Sequence, residues 1–243
     1  MFLMFDRSIV LCYSLNMTVR DCIRYLLWRL GRRSTMPAVF INQKPIQENN
    51  EIMVDIKQDD TLFFSKELKR RPVFLRVKAY QFLKQAQRLL PKECHFKIFS
   101  AYRSMDEQKQ LWEKEYELQK KQAPNLSEAA LERLVRARYA DPRRGFGGHQ
   151  TGGAIDVTLC DDKGKDYDMG TAYLEMTSQT LTNSHKVSRE ARRNRRILYK
   201  VLTSQGFQNY PAEWWHYSYG DRMWAAYRQK EYAVYGLVEK SEK

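Results

Sequence analysis

One segment constrains this chain more than any other: Gly147-Gly148-His149-Gln150-Thr151-Gly152-Gly153-Ala154-Ile155-Asp156. Four glycines around one histidine let the backbone turn tightly and approach a ligand closely. An apolar strand pattern, Ala154 to Leu159, follows directly, with Asp156 set between Ile155 and Val157. A carboxylate in such a strand is either buried at a cost or held by a strong partner, and a metal ion is one such partner. The plain structural reading of the same residues is a Gly-rich turn, a capped Asp and a buried His.

A second fragment, Glu213-Trp214-Trp215-His216, supplies another imidazole. Strand alternation sends Glu213 and His216 to opposite faces, so the chain must bend there if both serve one site. His149, Asp156 and His216 together offer two imidazoles and one carboxylate, a set that zinc accepts in catalytic sites with a fourth position open for water. Glu213, three residues before a ligand, is placed to take a proton from that water. Each spacing alone also arises by chance.

Residues 1–66 read as a small, self-contained unit. Met1–Phe5 and Ile9–Tyr13 are short apolar runs split by Asp6-Arg7-Ser8, which suits a hairpin. Thr18 and Asp21 resemble a capping box ahead of Ile23, Leu26, Leu27 and Leu30 at helical spacing, with Gly31 just past the end. Val39-Phe40-Ile41 and Thr61 to Phe64 read as strands. This order resembles the ubiquitin-like β-grasp family, without the Gly-Gly tail of a conjugatable member.

Residues 67–72 are charged and reach Pro72, a predicted linker. Beyond it, 73–243 read as one larger domain. Leu75 to Leu89 suit a helix stopped by Pro91, and His95 to Phe99 a strand. Ser104 with Glu107 caps a further helix, Ser127 to Tyr139 is helical, and Ser188 opens a helix ended by Gly206. The aromatic run near Trp214 is β-like. Strands and helices mix without a βαβ repeat, which predicts an α+β fold: a small antiparallel sheet flanked by helices.

Charge narrows the function classes. The 42 Lys+Arg exceed the 29 Asp+Glu, giving +13 across 243 residues. The densest cluster, Arg192-Arg193-Asn194-Arg195-Arg196, lies in a helical stretch and reads as a solvated face, so no nucleic-acid partner is expected. No apolar stretch approaches the roughly 18 residues of a membrane span. Cys12, Cys22, Cys94 and Cys160 form no CxxC pair, which argues against a disulfide scaffold or thiolate zinc site. Met1–Phe5 lacks a basic lead, and no small-x-small cleavage site follows Ile9 to Leu15. A cytoplasmic location is therefore expected, with the periplasm as runner-up.

Several segments in order resemble the D-Ala-D-Ala dipeptidases of the VanX type, within the LAS group of zinc peptidases. They are Ser100-Ala101-Tyr102-Arg103, His149 to Leu159, Met169-Gly170-Thr171 with Glu175-Met176, Asn194-Arg195-Arg196, Gly206-Phe207 and Glu213 to Tyr217. The resemblance implies that His149, Asp156 and His216 hold Zn²⁺, that Glu213 is general base and then proton donor, and that Arg103 stabilises the oxyanion. It implies hydrolysis of a small peptide ending in D-Ala, with D-Ala-D-Ala itself as the first expectation. The alternatives are a D,D-carboxypeptidase or other cell-wall peptide hydrolase, and a non-catalytic scaffold using the β-grasp domain and basic surface. A homo-oligomer or protein contact through the N-terminal domain is a further expectation. Two positions depart from the pattern: Gly147 stands where the family usually has Ser, and Leu174 where it commonly has Asp.

Overall fold

A computed structural model of the chain describes residues 18–238. Its centre is a five-stranded sheet in the order β2-β4-β5-β7-β6, made of β2 (Phe63–Phe64), β4 (His95–Ser100), β5 (Ala154–Cys160), β7 (His216–Ser218) and β6 (Gln208–Asn209). The apolar run of β5 is buried at all seven positions because it is the middle strand. On β4, one step out, buried and half-buried residues alternate, as expected of a strand with one face on the core. β2 runs parallel to β4 and the other pairs are antiparallel. The register sets Asp156 opposite Ser100 on one side and His216 on the other.

A two-stranded sheet pairs β1 (Met53–Asp55) with β3 (Phe74–Arg76). β3 leads into α3 (Val77–Gln87), which packs with α6 (Arg189–Ser204). Leu75, Leu83, Phe96, Ile98, Ile155, Val157, Leu198 and Leu202 are completely buried in the resulting core. Each such side chain contributes about 1.5–3 kcal/mol by leaving water. The fold is the expected mixed α+β type.

Local chemistry explains the helix starts. α4 (Met105–Gln122) begins at Ser104, whose Oγ accepts from the Glu107 N–H at 3.1 Å while Glu107 Oε2 accepts from the Ser104 N–H at 2.8 Å. Both directions of a capping box are thus made, and the box fixes the chain immediately after Arg103. Ser127 caps α5 (Glu128–Arg138) and Ser188 caps α6 through their hydroxyls. Thr18 likewise caps α1 (Val19–Arg29).

The N-terminal stretch departs from expectation. Residues 1–17, with the expected hairpin, lie outside the described residues, so the β-grasp order is not shown. Val39-Phe40-Ile41 is not a strand but part of α2 (Ala38–Asn42), which starts after Pro37. An apolar run this short suits either element, and burial decides: Phe40 stacks on Tyr25 at 4.0 Å and packs with Met36 and Ala226. α2 rests on α7 (Arg222–Tyr227). Nor do 1–66 form a separate core among the described residues. β2 is an edge of the main sheet, and Ile56 and Leu62 share one buried cluster with Leu83 and Phe96. Leu68 and Val73 belong to the same cluster, so 67–72 is docked rather than a free linker. No described helix is long and apolar enough to cross a membrane.

Candidate functional site

Three pieces of chain converge above β5. His149 sits in a 3₁₀ turn, Gly148–Thr151, that ends on Gly152 at φ +73, a left-handed value glycine adopts without strain. The backbone oxygen of His149 accepts from the Arg103 N–H at 3.2 Å, which ties the turn to the segment after β4. The ring is turned by Ala101, whose carbonyl lies 2.7 Å from Nδ1. That contact places a proton on Nδ1 and turns Nε2 toward Asp156 Oδ2 at 3.3 Å.

His216 opens β7 directly across from Asp156, with Nδ1 2.9 Å from Asp156 Oδ1. The required bend is present. The Glu213 N–H donates to Tyr210 O and the His216 N–H to Glu213 O, so the Trp214-Trp215 run is a tight turn rather than a strand. Asn209 holds that turn by donating to both Glu213 O and His216 O at 3.0 Å. Trp214 and Trp215 are buried beneath it, with Trp214 Nε1 donating to Thr171 Oγ1 at 2.8 Å.

Among the described residues, His149, Asp156 and His216 form the cluster able to hold a metal ion, their donor atoms all within 4.8 Å of one another. Two imidazole nitrogens and one carboxylate oxygen are a zinc donor set, and the outward Nδ1 contact of His149 is the type of support such ligands need. The residues present therefore fit zinc.

Electrostatics matches the packing. Burial alone would raise Asp156, but the charges and hydrogen bonds of His149 and His216 hold it well below the usual carboxylate range. Burial lowers His149, against the opposing pull of Asp156. Burial also works to lower His216, yet the hydrogen bond and charge of Asp156, with Glu213 and Asp221, carry it above its ordinary value. Glu213 behaves differently. Burial pushes its carboxyl up to about 7, although His216, Trp215 and Arg103 pull the other way.

His149, Asp156, Glu213, His216 and Arg103 all line one cavity of about 290 Å³, a volume at the small end for ligand pockets. Gly147 and Leu174 line it as well, and Ala38, Ile41 and Asn42 bring an N-terminal wall. Arg103 is only 8% exposed. Its Nη1 donates to Gln108 Oε1 at 2.8 Å and its Nη2 to Ser100 Oγ at 2.9 Å.

Several supporting residues escaped the sequence reading. Gln108, buried one turn into α4, accepts from Arg103 and from Gln150 Nε2 and donates to Ala140 O at 2.6 Å. Tyr173 donates its hydroxyl to Asp156 Oδ2 at 2.8 Å. Only the Met169 to Met176 motif pointed toward Tyr173, and nothing marked Gln108. The basic cluster on α6 also differs from a uniformly solvated face. Arg195 is 2% exposed and donates to Met169 O, Gln179 O and Leu181 O, pinning the loop that carries Tyr173. His95 pairs with Asp162 at 2.8 Å, away from the site, and His185 is exposed.

The Peptidase_M15 family, described as D-ala-D-ala dipeptidase, matches residues 69–235, and the chain belongs to it. A D-alanyl-D-alanine dipeptidase of Synechocystis sp. is 37% identical over 108 residues, covering 37% of this chain and 44% of the relative. One from Escherichia coli is 39% identical over 69 residues, covering 28% of this chain and 36% of the relative. The chain thus spans less than half the length of these curated relatives. Among solved structures, VanYB in complex with D-Alanine-D-Alanine has a TM-score of 0.42 at 17% identity, over 65% of this chain and 80% of that one.

Proposed function

We propose that this chain is a zinc peptidase that hydrolyses the D-Ala-D-Ala dipeptide, with His149 through Nε2, Asp156 through its carboxylate and His216 through Nδ1 holding the ion. The observation that carries the reading is the convergence of those three donor sets on one small cavity that also contains Glu213 and Arg103. Family membership and the dipeptidase names of the matched relatives support the substrate. A zinc ion held there lowers the pKa of a water and polarises the peptide carbonyl.

The chain's own groups supply the rest. Glu213 lines the same cavity, placed to accept a proton from water and return it to the departing amine nitrogen. Arg103 is held by Gln108 and Ser100 before substrate arrives, so its guanidinium meets negative charge on the carbonyl oxygen without reorganising. Trp215 and Leu174 add apolar surface to the lining of the same cavity.

The test is direct. Zinc-loaded protein should release D-Ala from D-Ala-D-Ala, and Glu213→Gln should lower kcat by about 10²–10⁴ while keeping its zinc. Absence of turnover by zinc-loaded wild type would reject the reading.

A further inference from the structure

Helix α1 is held to the rest of the described protein by one side only. Tyr25 stacks on Phe40 at 4.0 Å, and Trp28 meets Tyr227 edge-on at 5.7 Å. Cys22 joins them against Met36 and Ala226. The opposite side has no such cover. Val19, Ile23 and Leu26 recur there at the spacing of one helix face, and Leu30 continues the row at the C-cap. All four are at least half exposed, and no residue of α1 is fully buried. Single exposed apolar side chains need no partner, whereas four in one row form a patch that marks an interaction surface.

Charge decides which surface. At 3.6 residues per turn, Arg20 and Arg24 fall on one flank of the row and Arg29 on the other. Arg32 and Arg33 follow just past Gly31. Asp21 is the one carboxylate among residues 18–33, and it is engaged by the Thr18 hydroxyl at 2.6 Å. No ion pair among the described residues uses any of these five arginines. A narrow apolar row with cations on both flanks is the pattern of a helix lying flat in a lipid interface. Its long arginine stems let the guanidinium groups reach up to phosphates while the row sinks below them. With +13 on the chain, a second copy is repelled from this face rather than drawn to it.

We propose that α1 is a peripheral docking helix for an anionic phospholipid surface. Val19, Ile23, Leu26 and Leu30 lie below the headgroups, and Arg20, Arg24, Arg29, Arg32 and Arg33 meet the lipid phosphates. The inference makes no use of the metal cluster, so it stands or falls apart from the hydrolytic reading.

The experiment mixes the full chain with vesicles of phosphatidylcholine or of phosphatidylglycerol and reads binding by co-sedimentation. Affinity for phosphatidylglycerol should exceed that for phosphatidylcholine by about 10- to 100-fold, the worth of two or three arginines at an anionic surface. Raising the salt should shrink that ratio. The double variant Ile23→Gln, Leu26→Gln should weaken binding to phosphatidylglycerol by at least about tenfold. Arg20→Gln, Arg24→Gln should weaken it by about 5- to 30-fold and leave the phosphatidylcholine value unchanged. Both variants should keep the Tm and zinc content of the parent, since none of the four residues is buried or lines the cavity. Equal affinity for the two lipids, or phosphatidylglycerol binding unchanged in both variants, overturns the proposal. So does a large fall in Tm on Ile23→Gln, Leu26→Gln, or the conversion of a dimeric parent into a monomer by that variant. Either result would show the row covered by protein rather than by lipid.

Discussion

Asp156 and His216 face each other across the β5–β7 ladder, with Oδ1 of one 2.9 Å from Nδ1 of the other. Neither side chain has to reach: cross-strand partners come within contact by register alone. His149 completes the cluster from a turn rather than a strand, so its position depends on the glycines on either side of it. The candidate metal site thus has two members on paired strands and one held by loop chemistry.

Asp156→Asn should empty the site. The amide keeps the shape but loses the negative charge that both imidazoles face, and it presents a weaker donor. Zinc per chain, measured after dialysis against a mild chelator, should drop from about one to below a tenth. A loss beyond the hundredfold typical of outer supporting residues is expected for a direct ligand. Retention of stoichiometric zinc would remove Asp156 from the ligand set.

Glu213 gives a pH signature in the metal-free protein. Its folded carboxyl sits at about 7 against an ordinary 4.5. Between these values the folded chain holds a proton that the unfolded chain has released, so stability falls as pH rises. The contribution is whole below about pH 4.5 and lost above about pH 7, at most about 3 kcal/mol. Glu213→Gln cannot lose that proton. Urea unfolding of both metal-free proteins should show the wild type losing ground to the variant between pH 5 and pH 8. A gap that stays constant over this range would mean the carboxyl is not buried as described.

Much of the architecture was legible because it is written locally. Ser104 with Glu107, Ser127 and Ser188 announce helix starts, and an apolar run broken by one Asp announces a buried strand with a partner. The five candidate site residues were legible because each stands in a motif. Val39–Ile41 was not, since three apolar residues fit a helical turn as well as a strand and only contact with Tyr25 and Ala226 decides. Gln108 and Tyr173 were hidden for another reason. Their roles exist only after Arg103 turns back toward α4 and the loop after β5 is pinned by Arg195. The contact of the N-terminal stretch with the main sheet was not legible, because β2 finds its partner in β4, more than thirty residues further on.

Tyr173 would act on a bound metal through Asp156. Its hydroxyl donates to Oδ2, and its ring is held independently by stacking on Phe99 and an edge contact with Trp215. Tyr173→Phe should therefore keep the ring in place and the fold intact while freeing one carboxylate oxygen. Zinc affinity should weaken by about 10–100-fold, as for other residues that orient ligands, with thermal stability of the metal-free protein changing little. Unchanged zinc affinity, read by competition with a chromogenic chelator, would make the hydrogen bond incidental.

Gly148 tests the loop-held member of the site. A Cβ there would lie 2.3 Å from Asp221 Oδ2 and 3.0 Å from the Ala154 side chain. Asp221 cannot yield easily: it is buried, accepts from Ser218 Oγ at 2.9 Å, and caps α7 by accepting from the Trp224 N–H at 2.7 Å. Ala154 belongs to the central strand and is equally fixed. The turn carrying His149 must therefore move outward in Gly148→Ala. Overpacking of this kind costs about 1–3 kcal/mol, which lowers Tm by roughly 2–12 °C in a chain of this size. Zinc affinity should fall with it, because His149 is the next residue, whereas Gly145→Ala, at a position open to solvent within 4 Å, should weaken the fold only through its left-handed backbone and leave zinc affinity unchanged. Equal effects of the two substitutions on zinc binding would show that the His149 turn does not depend on its close approach to Asp221.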